Sequence, residues 1–354
     1  MAKCMMIGCD LHDKSMLLKA VVDHGKPWVK TWGTSPSARR KMIATLKGQA
    51  NRQEVVRIVF AYEACGFGFL LYDELVAAGI ECYVVAPSKM PRSAHSHRRK
   101  TDEQDAQAIL DALRSFVLAG VPLPSIWVPS LQARADRELV RRRLTVAEDL
   151  SASKTRVRWL LKQHGIEGAP AEPWTQAYWR WLEGLATGPL AGGAGASLAS
   201  LMRHVRWLVQ ERSVLDEKII ELAQTARHAS VVKALCRREG VGLLTAMVFL
   251  TELGDLRRFR NRREVGSFLG LTPASHESGQ DCDHKGHITH QGPARVRKVL
   301  CQAVWSRLRV DSSEQLAYQR LVSRNPRHKK IAVVARMRVL AIQMWHDGLA
   351  ARAA

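Results

Sequence analysis

Three short apolar runs open the chain, and the turns between them are too short for a crossover. No other feature restricts the fold as much. Residues 4–11, 16–22 and 28–32 read as strands separated by Asp13-Lys14-Ser15 and His24-Gly25-Lys26. Strands joined this tightly form an antiparallel meander. Ser35-Pro36 then opens a helix, with a capping hydroxyl and a proline at the first helical position. Residues 55–62 form an apolar, β-branched strand that delivers Glu63 at its end. Residues 66–78 read as a helix and 82–86 as a strand, and a loop over 87–99 leads to a helix that starts at Thr101.

The resulting order, βββαβαβα, is that of a ribonuclease H-like mixed sheet. In it the crossover returns the fourth strand beside the first. Asp10 and Glu63 then sit side by side at strand ends. The third acidic group comes from the helix after the loop. Thr101 and Gln104 fit a capping box, and Ala106, Ile109, Leu110 and Leu113 follow at helical spacing. Asp102 and Asp105, three apart, leave the first turn from one face. Singly, each acid has a bland explanation, because acids suit first turns and strand-to-turn junctions; Asp13, in the first turn, is a rival to Asp10. Together, four converging carboxylates repel one another unless cations are present, so they are expected to hold Mg²⁺. Two such ions can clamp the attacking and leaving oxygens of a phosphodiester.

The charge balance points to the same kind of partner. Among 354 residues there are 54 Lys and Arg against 33 Asp and Glu, a net charge of +21. A surface so basic calls for a polyanion, and nucleic acid is the obvious one. No apolar run is long enough to span a bilayer, and residues 1–6 lack the apolar core of a signal peptide. Seven scattered cysteines suit reduced thiols rather than a disulfide framework. A cytoplasmic, nucleoid-associated location with no membrane partner is the expectation.

Ile7-Gly8-Cys9-Asp10, Tyr62-Glu63-Ala64-Cys65-Gly66 and Lys100-Thr101-Asp102 with Asp105-Ala106 resemble the DEDD motif of the bridge-RNA-guided insertion-sequence transposases. These are also called bridge recombinases and are relatives of the Piv-type DNA invertases; the resemblance implies a RuvC-like N-terminal domain, similar to the RuvC Holliday-junction resolvase. The resemblance resumes at Arg238-Glu239-Gly240-Val241-Gly242 and Leu253-Gly254-Asp255, and includes Phe259. It continues through Phe268-Leu269-Gly270-Leu271-Thr272-Pro273, Glu277-Ser278-Gly279 and Gly286-His287-Ile288-Thr289-His290-Gln291-Gly292. It implies a nucleophilic serine at Ser278, which composition alone does not single out. It also implies a structured non-coding guide RNA that pairs with target and donor DNA, and assembly into dimers or tetramers.

Between the two motif sets, residues 128–164 read as a long basic helix. Its stripe is Val140, Leu144, Ala147, Leu150, Val157 and Leu161, interrupted by Lys154. Residues 165–197 are rich in Gly, Ala and Pro, and Trp174, Trp179 and Trp181 there suggest a small packed insert. Leu201, Leu208, Leu215 and Leu222 follow at spacings of seven, a coiled-coil seam whose partner is the first helix or another subunit. Gly240 and Gly242 lie in a helix-hairpin-helix-like turn, whose amides suit a backbone phosphate. Glu239 weakens that reading, and a plain helical hairpin fits as well. The basic residues taken as nucleic-acid contacts are Arg98, Arg99, Lys100, Arg141, Arg142, Arg143, Arg257, Arg258, Arg260, Arg262, Arg263, Arg295, Arg297 and Lys298. Cys282, His284, His287 and His290 have no standard zinc-finger spacing.

Three parts are therefore expected. Residues 1–125 form the metal-binding domain, 126–228 the coiled-coil helices with their insert, and 229–354 a mainly helical domain carrying the serine. The expected activity is Mg²⁺-dependent DNA strand exchange through a serine–DNA link. The alternatives are a water-using nuclease or junction resolvase, and a non-enzymatic nucleic-acid-binding relic.

Overall fold

A computed structural model describes residues 3–90, 101–190, 192–275 and 285–353. The chain divides into two compact units, Met1–Val128 and Pro129–Ala354.

In the first unit, β1 (Lys3–Leu11), β2 (Ser15–Val22) and β3 (Trp28–Gly33) form the expected meander. Then come α1 (Pro36–Arg52), β4 (Val55–Glu63), α2 (Leu70–Ala77), β5 (Glu81–Val85) and α3 (Asp102–Ala119). The sheet order is β3-β2-β1-β4-β5. β1 pairs antiparallel with β2 and parallel with β4. This is the ribonuclease H-like arrangement. Ser35 caps α1 by accepting from the Ala38 amide, and Thr101 caps α3 by accepting from the Gln104 amide. The helix expected over 66–78 begins only at Leu70. Gly68, at φ +66°, stands in the left-handed region, which an α-helix cannot accommodate.

Alternation along β1 sorts its side chains onto two faces. Met5, Ile7 and Cys9 pack with Met42 and Leu46 of α1 and Leu71 and Leu75 of α2. Cys4 and Met6 pack on the other face with Val59 and Ala61 of β4 and Ile109, Leu110 and Leu113 of α3. The second face is the one that matters for function.

Among its described residues the second unit is helical apart from one two-stranded sheet. Its elements are α4 (Leu131–Gln163), α5 (Gln176–Thr187), α6 (Gly193–Ala223), α7 (Ala229–Cys236), α8 (Leu243–Leu253) and α9 (Arg262–Phe268), then β6 (Pro273–Ser275) and β7 (Lys285–Ile288), then α10 (Ala294–Val310), α11 (Ser312–Arg324) and α12 (Lys329–Ala353). α4 and α6 run in opposite directions. Val140 and Leu144 pack with Ile219 and Leu222, while Val157 and Leu161 share a core with Leu198 and Met202. Within the chain, the heptad seam packs on the first helix. Trp174, Trp179 and Trp181 pack around Tyr178 and close one end of this hairpin. α7, α8, α10 and α12 enclose a second core around Phe249, Leu300 and Met344. Among the described residues no helix is long and apolar enough to cross a membrane.

Candidate active site

The acids collect because one glycine lets a helix lie directly on a strand. Gly8 follows Cys4 and Met6 on the face of β1 that α3 covers. A Cβ at Gly8 would stand 2.5 Å from the Ala106 carbonyl oxygen and 2.5 Å from the Leu110 amide nitrogen. Only a residue without a side chain permits that approach. Two residues further on, Asp10 emerges on the same face, under the first turn of α3, where Asp102 and Asp105 lie. Lys19 of β2 donates to Glu103 at 3.0 Å and ties this turn to the sheet.

Glu63 arrives from β4. Cys9 pairs with Tyr62, so the next residues along these parallel strands, Asp10 and Glu63, end side by side. Glu63 has the same parity as Val59 and Ala61, which face α3. Glu63 and Asp105 are half-buried. Register and parity therefore place Glu63 beside Asp10 at the edge of the face that α3 covers.

Asp10 is the buried member, 5% exposed. Its Oδ2 lies 3.0 Å from Nε2 of His12, and the same nitrogen is 3.5 Å from Oδ1 of Asp102. Donor atoms of Asp10, His12 and Asp102 fall within 4.8 Å of one another. Burial raises the Asp10 carboxyl above the ordinary carboxylate range; His12 opposes this through its charge and hydrogen bond, and Asp102 and Asp105 add to the rise. A buried carboxylate crowded by two others gains most from a small hard cation, and oxygen donors suit one. The residues present fit a divalent metal.

His12 was not singled out from the sequence. Its signal is its place two residues past Asp10, at the turn into β2. A histidine there reads as an ordinary turn residue until α3 is docked over it.

Ser278, the expected nucleophile, lies outside the described residues, between the antiparallel pair β6 and β7. Arg98, Arg99, Lys100, Glu277, Cys282 and His284 also lie outside them.

The basic residues of the second unit fall into two groups. Arg142, Arg257, Arg260, Arg262, Arg263 and Arg295 are exposed. The others have partners within the chain, although Arg141 and Lys298 are themselves exposed. Arg141 holds Glu252 through two bonds of 2.6 and 2.7 Å, and Arg143 holds Asp216 at 2.7 and 3.1 Å. Lys298 donates to Glu148 at 2.8 Å. Arg297 donates to the carbonyls of Leu269 and Gln291, each at 3.0 Å. Arg258, expected as a phosphate contact, has partners inside the fold. Its guanidinium lies 4.2 Å and 4.4 Å from the Phe259 and Phe268 ring centroids and donates to the Leu253 carbonyl. Burial, with Arg137 nearby, lowers it to about 10. It caps the C-terminal end of α8.

Gly240 also has an internal reason. Its φ is +75°, and a Cβ there would come within 2.6 Å of the Ala303 carbonyl oxygen and the Arg307 side chain. It lets the turn before α8 close onto α10. With Gly242 and Ser306 it lines an open cleft of about 430 Å³ that Glu239 also borders.

The sequence matches known transposase families. A transposase family model of the DEDD IS110 type matches residues 7–166. A second, described as the transposase IS116/IS110/IS902 family, matches residues 232–319. A putative transposase, y4qE, from Sinorhizobium fredii (strain NBRC 101917 / NGR234) is 31% identical over 288 residues, covering 81% of this chain and 68% of the relative. The transposase for insertion sequence element IS1533 of Leptospira borgpetersenii is 26% identical over 309 residues, 86% of each chain. Among solved structures, Thermus thermophilus RuvC is matched over 34% of this chain and 99% of that one, with 16% identity and a TM-score of 0.24.

Proposed function

Because the chain belongs to the IS116/IS110/IS902 family of transposases, we propose that it cuts and rejoins the DNA of an insertion element, using Mg²⁺ held by Asp10, Glu63, Asp102 and Asp105 and the Ser278 hydroxyl as nucleophile. What supports this reading is that strand register sets Asp10 and Glu63 at neighbouring strand ends beside the helix turn carrying Asp102 and Asp105, and that donor atoms of Asp10, His12 and Asp102 lie within 4.8 Å of one another. Bound there, the cation supplies positive charge where the attacked phosphate gathers negative charge.

The chain's own residues set the geometry. Asp10 is fixed by its strand and by burial, and Asp102 and Asp105 by a capped helix turn. His12 holds Asp10 and Asp102 together through one imidazole. Ser278 Oγ forms a bond to phosphorus as the bond from phosphorus to the 3′ oxygen breaks. The serine loses a proton and the leaving 3′ oxygen gains one. Reversal with a different 3′ hydroxyl rejoins strands without ATP, because the number of phosphoester bonds never changes. The exposed arginines near α9 and α10 serve as sequence-independent phosphate contacts. A guide RNA, and assembly as a dimer or tetramer, belong to the same reading through the family resemblance.

Trapping tests it. Denaturing electrophoresis of the protein with labelled element-end DNA and Mg²⁺ is expected to show a protein–DNA adduct that Ser278→Ala abolishes and Asp102→Asn reduces at least a hundredfold. Cut ends without an adduct would instead identify a water-using nuclease.

A further inference from the structure

Where α4, α5 and α6 meet, the second unit has a cleft of about 320 Å³ lined by Lys154, Trp174, Trp179, Arg206, Val209 and Arg212. We propose that this cleft binds the sugar–phosphate backbone of a nucleic-acid strand. The inference rests on the reading that the chain acts on nucleic acid, but not on the chemistry of the acid cluster.

The first reason is charge without compensation. Lys154 occupies a position of the α4 stripe whose neighbours Leu150, Val157 and Leu161 are buried and apolar. Burial lowers its ammonium, and Arg212 and Arg158 lower it further. No carboxylate lines the cleft. At the rim, Arg206 pairs with Glu183. A half-buried cation beside other cations disfavours the folded state, and an apolar residue at 154 would pack better. The arrangement makes physical sense when an anion enters.

The second reason is orientation. Lys154 Nζ stands 4.7 Å from the Trp174 ring centroid, and the Arg206 guanidinium 4.9 Å from that of Trp179. Each indole face holds a cation at the cleft wall. Lysine and arginine donate hydrogen bonds and accept none. The lining therefore offers donors and apolar surface, which suit the acceptor oxygens of a phosphodiester.

The test uses the full-length protein and labelled 20-nucleotide single-stranded RNA, single-stranded DNA and duplex DNA, with affinity measured across a salt series. Lys154→Met with Arg212→Met removes two charges and keeps helix propensity. The log–log salt slope is expected to fall by about 1.4 for a single strand or about 1.8 for duplex, and the arm that changes identifies the strand bound. The melting temperature is expected to stay level or rise. Lys154→Arg keeps the slope. Adduct formation by the parent chain is scored in a separate assay, so failure of the catalytic reading is distinguished from failure of this one. An unchanged slope in all three arms, or a melting temperature lowered by several degrees, would overturn the proposal.

Discussion

Asp10 is where stability and function pull apart. Its carboxyl, raised by burial and by Asp102 and Asp105, binds its proton more tightly in the folded chain than in the unfolded one. Wherever the carboxylate is ionised in both states, it therefore lowers stability. Asp10→Asn keeps the shape and an acceptor for His12. In EDTA it should stabilise the protein by about 1 kcal/mol, read as a higher melting temperature, while abolishing adduct formation. A lower melting temperature would mean that the site is not under electrostatic strain. His12 shows the limit of reading residues one at a time. Nothing in Asp10-Leu11-His12 announces a bridge to Asp102, which comes from ninety residues later and from another element.

At the scale of elements, the placing of α3 decides the site. The strands and their order were legible because turns this short permit one topology, and the parallel return of β4 beside β1 followed from it. Asp102 and Asp105 were legible because the Thr101 cap sets the start of their helix. Hidden from the sequence was the role of Gly8, since a glycine in a strand has several uses and only the docked helix selects one. Gly8→Ala forces α3 outward against backbone atoms at 2.5 Å. It should cost about 1–3 kcal/mol in urea unfolding and lower DNA cleavage at least tenfold. Arginines were legible as charge but not as partners. Arg258 sits in a basic run like its neighbours, yet two phenylalanines and a helix end claim it. Arg258→Met should destabilise by about 1–2 kcal/mol through the lost carbonyl contact, with little change in the salt slope of DNA binding.

At the scale of the molecule, the net charge of +21 is held partly by internal ion pairs whose carboxylates must stay ionised. Asp136, on α4, shows the cost of losing one. Burial alone would raise its carboxyl, but hydrogen bonds from Arg227, His228 and Gln132 hold it down at about 2, against an ordinary 3.8. A depressed folded value means the stabilisation is complete above the unfolded value and is lost as pH falls from about 4 through about 2. Its size is about 2 kcal/mol. The stability difference between the parent chain and Asp136→Asn, followed by urea unfolding, should be flat near neutral pH and shrink across that acid window.

The claim on which the proposed chemistry depends is that the acids carried by β1, β4 and the first turn of α3 form one divalent-metal site. Calorimetric titration of the full-length protein with Mn²⁺ tests it directly, alongside Asp10→Asn and Asp102→Asn. Saturable binding that either substitution weakens about tenfold or more is the expected result. Binding as tight in both variants as in the parent chain would contradict it.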